Sequence, residues 1–246
     1  MYLYNANAIG LAGLIRRPIG QTIENQASAC LGTIGGFDRA VAEAFHFDEI
    51  LSFRGAYAET AGFESDGRNV TLARAVVEGL NVLDIVKADL VVASLSGEYR
   101  RGEAESRILL AGSRVENLRI LGVPVDANVQ TQFFDEHDTF AKLEHSDPKF
   151  RKLFHDWGSV DTQVKRPYSG SLANVSPEWL PKLRRNGLAI EIPDFGRIHL
   201  AEFFIQPSHR RLNMLRIELG SPVGGRLVIA SASCNGLTGG SGTDDD

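Results

Sequence analysis

The stretch Ala88–Ser96, with the sequence ADLVVASLS, favours extended structure because small and β-branched residues alternate in part with polar ones. Three earlier stretches have a similar composition, and the first two of them also contain aromatic residues: Ala40–Phe47 (AVAEAFHF), Phe53–Ala61 (FRGAYAETA) and Val70–Val77 (VTLARAVV). Turn-like segments such as Ser65–Asn69, SDGRN, separate these stretches at regular intervals. The alanines between Asp38 and Phe45 are also compatible with a helix, but the regular turns favour a strand. We therefore predict strands with one buried face in the front half of the chain.

The same pattern returns near the other end of the chain. Apolar positions alternate in four stretches separated by glycine and proline: Leu188–Ile192, Arg197–Ile205, Leu212–Leu219 and Arg226–Ser233. Between the two halves, the sequence Leu121-Gly122-Val123-Pro124 predicts a hairpin, because glycine admits a positive φ and proline cannot donate to a strand ladder. The predicted fold class is mainly β, a single β-rich domain over residues 1–236 built as a sandwich or as solenoid-like sheets.

Residues 131–187 differ in character, since aromatic and charged residues become more frequent and the apolar spacing becomes helical. Asp147-Pro148 is a helix start signal before the segment KFRKLFHDW, and Ser176-Pro177 repeats that signal before EWLPKLRR. We predict a small helical insertion around residues 135–187, packed as a cap on the β scaffold. Residues 237–246 form an acidic, glycine-rich end with nothing to bury, and we predict a flexible tail.

The composition is that of a globular protein with a core, since 43% of the 246 residues are hydrophobic and 23% are charged. The net charge of -5 argues against nucleic acid as a partner, because phosphate binding needs a basic face. No apolar run is long enough for a transmembrane segment. The first residues lack the basic and apolar regions of a signal peptide, so the chain is either cytosolic or a mature product, and we favour the second.

Two cysteines, Cys30 and Cys234, lie in similar small-residue contexts, ASAC and ASASC. A disulfide between them would close a loop of about 200 residues and stabilise the fold by roughly 5 kcal/mol in the chain-entropy estimate. The alternative is a pair of buried free thiols. We favour the disulfide, which fits an oxidising compartment.

Residues with catalytic or metal-binding chemistry do not form a recognisable pattern. The chain has no G-x-S-x-G nucleophile elbow, and its glycine pairs lack the partners of a phosphate-binding loop. His137, Asp138, His145 and His155 are ligand types that lie near one another in the sequence, but their spacing matches no metal site. Cys30 could act as a nucleophile with His199 as its base, if the fold brought them together. We expect no catalytic residue, no bound metal and no cofactor.

Two long stretches, residues 73–127 and Gly196–Gly236, resemble the choice-of-anchor domains of secreted bacterial surface proteins, in the class labelled P. The phrases that carry this resemblance are at Gly79–Leu83, Ala88–Leu95, Gly112–Val125 and Val228–Ala232. The resemblance implies an exported, β-rich, extracellular module without catalytic residues. We therefore expect an extracellular or cell-surface location.

The first functional hypothesis is a structural subunit that assembles with copies of itself into a fibre, sheath or surface layer. It depends on an isolated first strand from Tyr2 to Ile15, which could pair with the open edge of a neighbour. The residues that would form this assembly strand are Tyr2, Tyr4, Ala8, Leu11 and Leu14. The alternative is that this strand pairs within its own sheet.

The second hypothesis is a secreted module that binds carbohydrate or a surface without catalysis. It rests on aromatic residues of the insertion, for which we name Trp157, Tyr168 and Trp179 as binding candidates. Packing of these rings inside the cap is the simpler explanation. An enzyme with a site assembled from distant residues is a third hypothesis, and a deep pocket lined by His137, His145 or Glu136 would support it.

Overall fold

A computed structural model describes the chain over most of its length. The described residues are 2–145, 154–156, 168–175, 184–186, 189–207 and 209–235.

The described secondary structure consists of strands and two short helices. The strands are β1 (Ala6–Arg17), β2 (Gln21–Cys30), β3 (Gly36–Ala42), β4 (Phe45–Phe47), β5 (Leu51–Phe53), β6 (Gly55–Ser65), β7 (Arg68–Val82), β8 (Val86–Arg100), β9 (Arg107–Leu109), β10 (Arg114–Glu116), β11 (Arg119–Ile120), β12 (Val123–Pro124), β13 (Ala127–Val129), β14 (Phe154–Asp156), β15 (Tyr168–Ser171), β16 (Ala173–Val175), β17 (Arg184–Asn186), β18 (Ala189–Ile192), β19 (Gly196–Gln206), β20 (His209–Leu219) and β21 (Gly224–Asn235). The helices are α1 (Phe133–Glu136) and α2 (Phe140–Glu144).

One sheet contains strands from both ends of the chain, and we call it the terminal sheet. Its strand order is β14-β15-β19-β20-β21-β1-β2, with the β17–β18 pair added beside β19. Neighbouring strands in this sheet are antiparallel. The last strand of the chain, β21, therefore pairs with the first, β1.

The other sheet, which we call the internal sheet, is formed by β3 to β12. Its two long central strands, β7 and β8, pair along their length. The other edge of β7 is shared by β5 and β6, and the other edge of β8 is shared by β9, β10 and β11. β3 pairs with β6 at one side of this sheet.

The two sheets pack face to face as a β-sandwich, with β1, β2, β20 and β21 against β6, β7 and β8. Alternate residues of these strands point inward and form the core, for example Leu11 and Ile217 from the terminal sheet and Ala75 and Leu95 from the internal sheet. The prediction of a mainly β, single-domain fold is confirmed, and the architecture is the sandwich rather than the solenoid.

Two tight turns follow the sequence signals directly. Asp66 and Gly67 connect β6 to β7 with φ of 51° and 69°, and Leu121 and Gly122 connect β11 to β12 with φ of 52° and 78°. Positive φ at both central residues defines the type I′ turn, whose twist matches that of the flanking strands. The predicted hairpin at Leu121–Pro124 is confirmed.

Two described parts of the insertion form strands where helices were predicted. Phe154–Asp156 and residues 184–185 lie in the segments predicted to be helical, but they belong to strands β14 and β17. They do so because β15 and β18 offer them open strand edges, and tertiary pairing overrides a local helical pattern. The helices among the described residues, α1 and α2, lie earlier in the block. The start signals at residues 147–148 and 176–177 and the tail at 237–246 lie outside the described residues.

The predicted disulfide between Cys30 and Cys234 is wrong, since both cysteines are free thiols. Cys30 ends β2 and Cys234 lies in β21, and these strands flank β1 on opposite sides. Two inter-strand steps separate their Cα atoms by about 9–10 Å, which exceeds the limit of about 7 Å for a disulfide. In addition, Cys30 is exposed whereas Cys234 is buried.

The first strand is not isolated, so the prediction that it is free to join a neighbour is also wrong. β1 is paired along both edges, with β2 on one side and β21 on the other. Of the proposed assembly residues, Tyr4, Ala8 and Leu11 are buried, and Leu14 is partly exposed. Tyr2 stacks on Tyr99 of its own chain, with 5.3 Å between ring centroids.

Candidate functional site

The outer face of the terminal sheet contains a trough that runs across four neighbouring strands. In each of these strands the regular alternation is interrupted where two consecutive residues are buried instead of one. The buried pairs are Leu200-Ala201 in β19, Met214-Leu215 in β20, Ile229-Ala230 in β21 and Gly10-Leu11 in β1. The outward residues on either side are then three positions apart, which is about 10 Å along a strand instead of about 7 Å. A row without outward side chains is left across the sheet.

The backbone at this row is strained. Ala201 and Ala230 have φ of 44° and 50° although each lies inside a strand. The left-handed region costs an alanine roughly 1–2 kcal/mol. Strained backbone that the surrounding structure holds in place is a feature of binding and catalytic sites. The surface above this row is therefore a candidate functional site.

Two rows of outward side chains form the sides of the trough. The first row is Glu202, Asn213, Ser231 and Ile9, and the second row is His199, Arg216, Val228 and Ala12. Within each row the residues are directly opposite one another on neighbouring strands. The trough has a cavity volume of about 550 Å³, within the range of small-molecule sites.

A polar network joins the two rows at the β19–β20 end. Arg216 donates from Nε to Glu202 Oε2 at 2.9 Å and from Nη2 to Glu202 Oε1 at 2.8 Å, and it also donates to Glu218. Asn213 Nδ2 donates to Glu202 Oε2 at 3.4 Å, and the Ser231 hydroxyl donates to the side-chain oxygen Oδ1 of Asn213 at 2.8 Å. The charge of Arg216 is thus balanced by two carboxylates, and the planar groups are held in fixed orientations.

The protonation states at this end follow from burial and from Arg216. Burial acts to raise the pKa of Glu202, but the hydrogen bonds and charge of Arg216 outweigh burial and lower it. Burial acts to lower the pKa of Arg216, and its bonds to Glu202 and Glu218 outweigh burial and raise it. The pKa of His199 is lowered by burial first and by the charge of Arg216 second, although Glu218 Oε1 lies 3.9 Å from its Nε2. At neutral pH the network is therefore an ion pair beside a neutral imidazole.

The β21–β1 end of the trough is mainly apolar, although Arg226 and Ser231 of β21 also belong to the lining. Its sides are formed by Ile9 and Ala12 from β1 and by Val228 from β21. Phe204 contributes an aromatic ring at the β19 side, and the Arg211 guanidinium lies 5.7 Å from the centroid of that ring. The trough therefore combines a polar end with an apolar end and an aromatic face.

A second cluster of charged groups is buried between the sheets. Arg210 of β20 has a fully buried side chain, and its Nη2 donates to Glu105 Oε2 at 3.0 Å and to the carbonyl oxygen of Ser106 at 2.9 Å. Its Nη1 donates to the carbonyl oxygen of Asn235 at 3.3 Å. Burial lowers the pKa of Arg210 from its ordinary value. Because Arg210 is fully buried and Glu105 is only 12% exposed, we assign this cluster a structural role.

Glu105 also fixes the start of helix α2. Its two carboxylate oxygens accept the backbone N–H groups of Phe140 and Ala141, each at 2.8 Å. One carboxylate thus connects β20, the β8–β9 segment and α2.

The open edge of strand β3 is a third notable surface. Among the described residues, β3 forms a strand ladder with β6 alone; β2 of the terminal sheet packs beside β3 but is not paired with it. Phe37 and Val41 point to the outer face of the internal sheet and are 67% and 66% exposed, and Ile34 just before the strand is 89% exposed. An unpaired edge with large exposed apolar side chains is typical of a protein–protein contact.

The residues that the sequence suggested for chemistry are dispersed. His137 stacks on Phe133 with 4.7 Å between ring centroids, His145 contacts the carbonyl oxygen of Ala141, and Asp138 forms an ion pair with Lys142. Within the described parts of the chain, no group of three or more potential ligands could hold a metal ion. The side chain of His155 lies outside the described residues.

Cys30 and His199 are likewise apart, because β2 and β19 are separated by β20, β21 and β1 in the terminal sheet. The side chains of the three proposed binding aromatics, Trp157, Tyr168 and Trp179, lie outside the described residues. A shallow depression of about 300 Å³ is lined by Gln130, Gln132, Phe133, Glu136 and His137. It brings Glu136 and His137 to one surface but includes no nucleophile.

The sequence analysis missed the trough, except for His199, which it considered in a different role. The signal was present as paired buried positions, such as Met214-Leu215 and Ile229-Ala230, in strands that otherwise alternate. A single buried pair does not by itself indicate a trough. It does so only when the strand register aligns it with similar pairs in neighbouring strands.

Described residues contain no helix that is both long and apolar enough to cross a membrane. Searches with this chain match no curated protein and no solved structure.

Residues 2–171 match a family described as a domain of unknown function, DUF8256. The match includes β1 to β15 and so the open edge of β3, whereas most of the trough is formed by β19, β20 and β21 beyond it. Since the match covers more than half of the chain, the protein belongs to the DUF8256 family.

Proposed function

We propose that this protein is an extracellular structural subunit that associates with copies of itself through the open edge of β3. The observation that carries the proposal is the unpaired edge of β3, with Phe37 and Val41 about two-thirds exposed. An unpaired edge presents main-chain donors and acceptors to another strand, and exposed apolar side chains add burial to those hydrogen bonds. β3 takes the role that the sequence analysis gave to the first strand.

The sequence of β3 is complementary to itself under a two-fold axis. In antiparallel pairing centred on Arg39, Phe37 of each copy lies opposite Val41 of the other, on the same face of the joined sheet. The two Arg39 side chains would be adjacent on the axis. Each guanidinium lies 5.5 Å from the Tyr57 ring centroid of its own chain, which directs its charge back toward its own sheet.

The neighbouring open edge, β2 of the terminal sheet, has a different character. Its exposed residues include Glu24, Asn25 and Ser28, and Asp38 of β3 accepts a hydrogen bond from the backbone N–H of Cys30 at 2.8 Å. Polar and charged side chains protect an edge from pairing. The contrast between the two edges supports β3 as the contact strand.

A two-fold contact closes on itself as a dimer, so growth into a fibre, sheath or surface layer requires a second, different interface. The dimer is therefore the proposed building unit. The resemblance to choice-of-anchor domains supports export and a location at the cell surface. Carbohydrate binding through Trp157, Tyr168 and Trp179 stays a prediction of the sequence.

Sedimentation velocity across a concentration series, with electron microscopy of the same samples, tests the proposal. We expect reversible dimers and larger assemblies that share the dimer as a unit. The variant Val41→Lys places a charge on the open edge and should weaken the dimer at least about tenfold.

The matched control is Leu109→Lys, which adds the same charge at a partly exposed leucine in β9, away from the β3 edge. It should leave the dimer unchanged. A protein that is monomeric at every concentration, or a Val41→Lys variant that associates as strongly as the unmodified chain, would contradict the proposal.

A further inference from the structure

The trough across the terminal sheet has two unlike ends. Its polar end presents Glu202, Asn213 and Ser231 in one hydrogen-bonded row, and its apolar end presents Ile9 and Val228. A ligand that fits must therefore carry hydroxyl-type donors and acceptors along one part and C–H surface along another. Pyranose rings have this character, with hydroxyl groups around the rim and C–H bonds on the ring faces.

We propose that the trough binds a neutral oligosaccharide. The polar groups are already oriented by one another, so a sugar hydroxyl can add to Glu202, Asn213 or Ser231 without reordering flexible side chains. Phe204 lies at the rim of the trough with the Arg211 guanidinium over its ring, and the part of the ring that Arg211 leaves uncovered can contact the C–H surface of a sugar. The cavity volume of about 550 Å³ is larger than a single sugar residue requires, so the trough can hold an oligosaccharide.

The same observations argue against other ligand classes. Three arginines and two glutamates line the trough, so an anion would meet Glu202 and Glu218 there. Arg216 is balanced by both carboxylates, Arg226 lies directly opposite Glu218 in the strand register, and Arg211 lies over the Phe204 ring. A metal ion would have to displace Arg216 from both carboxylates. A peptide strand needs an open sheet edge, whereas the trough lies on a sheet face and crosses strands that are paired on both sides.

The proposal is independent of self-association, because β3 lies in the other sheet. It is tested by recording amide NMR spectra while titrating the full chain with cellohexaose, maltohexaose, chitohexaose and mannohexaose in turn. We expect at least one of them to shift amide signals of β1, β20 and β21 around the trough, with a dissociation constant in the millimolar range or below.

Variants then locate the site. Asn213→Ala removes the central member of the polar row and should raise that dissociation constant about tenfold. Ala12→Arg fills the apolar end without touching the network and should abolish binding. The control Glu59→Gln, on the outer face of the internal sheet, should bind as the unmodified chain does.

Retained signal dispersion in regions remote from the trough will show that each variant is folded. The proposal is overturned if none of the four oligosaccharides shifts the trough amides at millimolar concentration, or if the shifts are confined to another surface. It is also overturned if both Asn213→Ala and Ala12→Arg leave the dissociation constant unchanged.

Discussion

Replacing Glu105 with glutamine should be among the most destabilising single changes in this protein. The Arg210 side chain is fully buried and Glu105 is 12% exposed, so the variant leaves a positive charge between the sheets without its carboxylate. Removing one partner of a buried ion pair typically costs about 3–5 kcal/mol. The weakened contacts to the N–H groups of Phe140 and Ala141 add about 1 kcal/mol, as for the loss of a helix cap.

Urea unfolding followed by far-ultraviolet circular dichroism measures this cost, with the free energy of unfolding obtained by linear extrapolation. Arg210→Met should also be destabilising, because Glu105 loses its cationic partner and the carbonyl oxygen of Ser106 loses the Arg210 donor. The double variant should be destabilised by less than the sum of the two single changes, since it removes both charges together. A Glu105→Gln cost below about 1 kcal/mol, or strict additivity in the double variant, would refute the reasoning.

Three further predictions concern the thiols, the histidines and the strained row. Cys30 should react with a thiol reagent in the folded protein, and Cys234 should react only after unfolding. The reason is that burial shields the Cys234 thiol and raises its pKa to about 11. Two reactive thiols in the folded protein would contradict this prediction. Burial lowers the pKa of His199 and of His209, so below 6.5 the unfolded chain binds protons that the folded chain does not. As the pH is lowered from 6.5, the free energy of unfolding should therefore fall by up to about 1.4 kcal/mol per pH unit for each histidine. Replacing both histidines with glutamine should flatten that slope. Gly10→Ala should cost about 1–3 kcal/mol in urea unfolding, because its Cβ would lie 2.8 Å from a carbonyl oxygen of β2; an unchanged midpoint would count against the packing described for the row.

The strands were predictable because they are encoded locally. Alternation and turn residues identify β7, β8 and the β11–β12 hairpin without any knowledge of their partners. The predicted helix over Phe154–Asp156 failed for the opposite reason, since the open edge of β15 is a tertiary feature that the local pattern does not contain.

The sites were not predictable because they depend on strand order and register. Nothing in the chain shows that β1 lies between β2 and β21, and this single fact excludes the Cys30–Cys234 disulfide and removes the free first strand. The trough likewise exists only when paired buried positions in four strands are aligned by the register. Arg210 resembles a surface cation in the sequence, next to His209 and Arg211, yet it is fully buried.

The central claim, that two copies join along β3 around Arg39, is tested most directly by cysteine crosslinking. In a Cys30→Ser background, Arg39→Cys places two thiols opposite each other on the two-fold axis, and mild oxidation should give a covalent dimer on a non-reducing gel. Phe37→Cys in the same background should stay monomeric, because its two copies would be offset by four residues, about 13 Å along the strand, beyond the reach of a disulfide. A failure of Arg39→Cys to crosslink at concentrations where the protein associates, or equal crosslinking of both variants, would contradict this account.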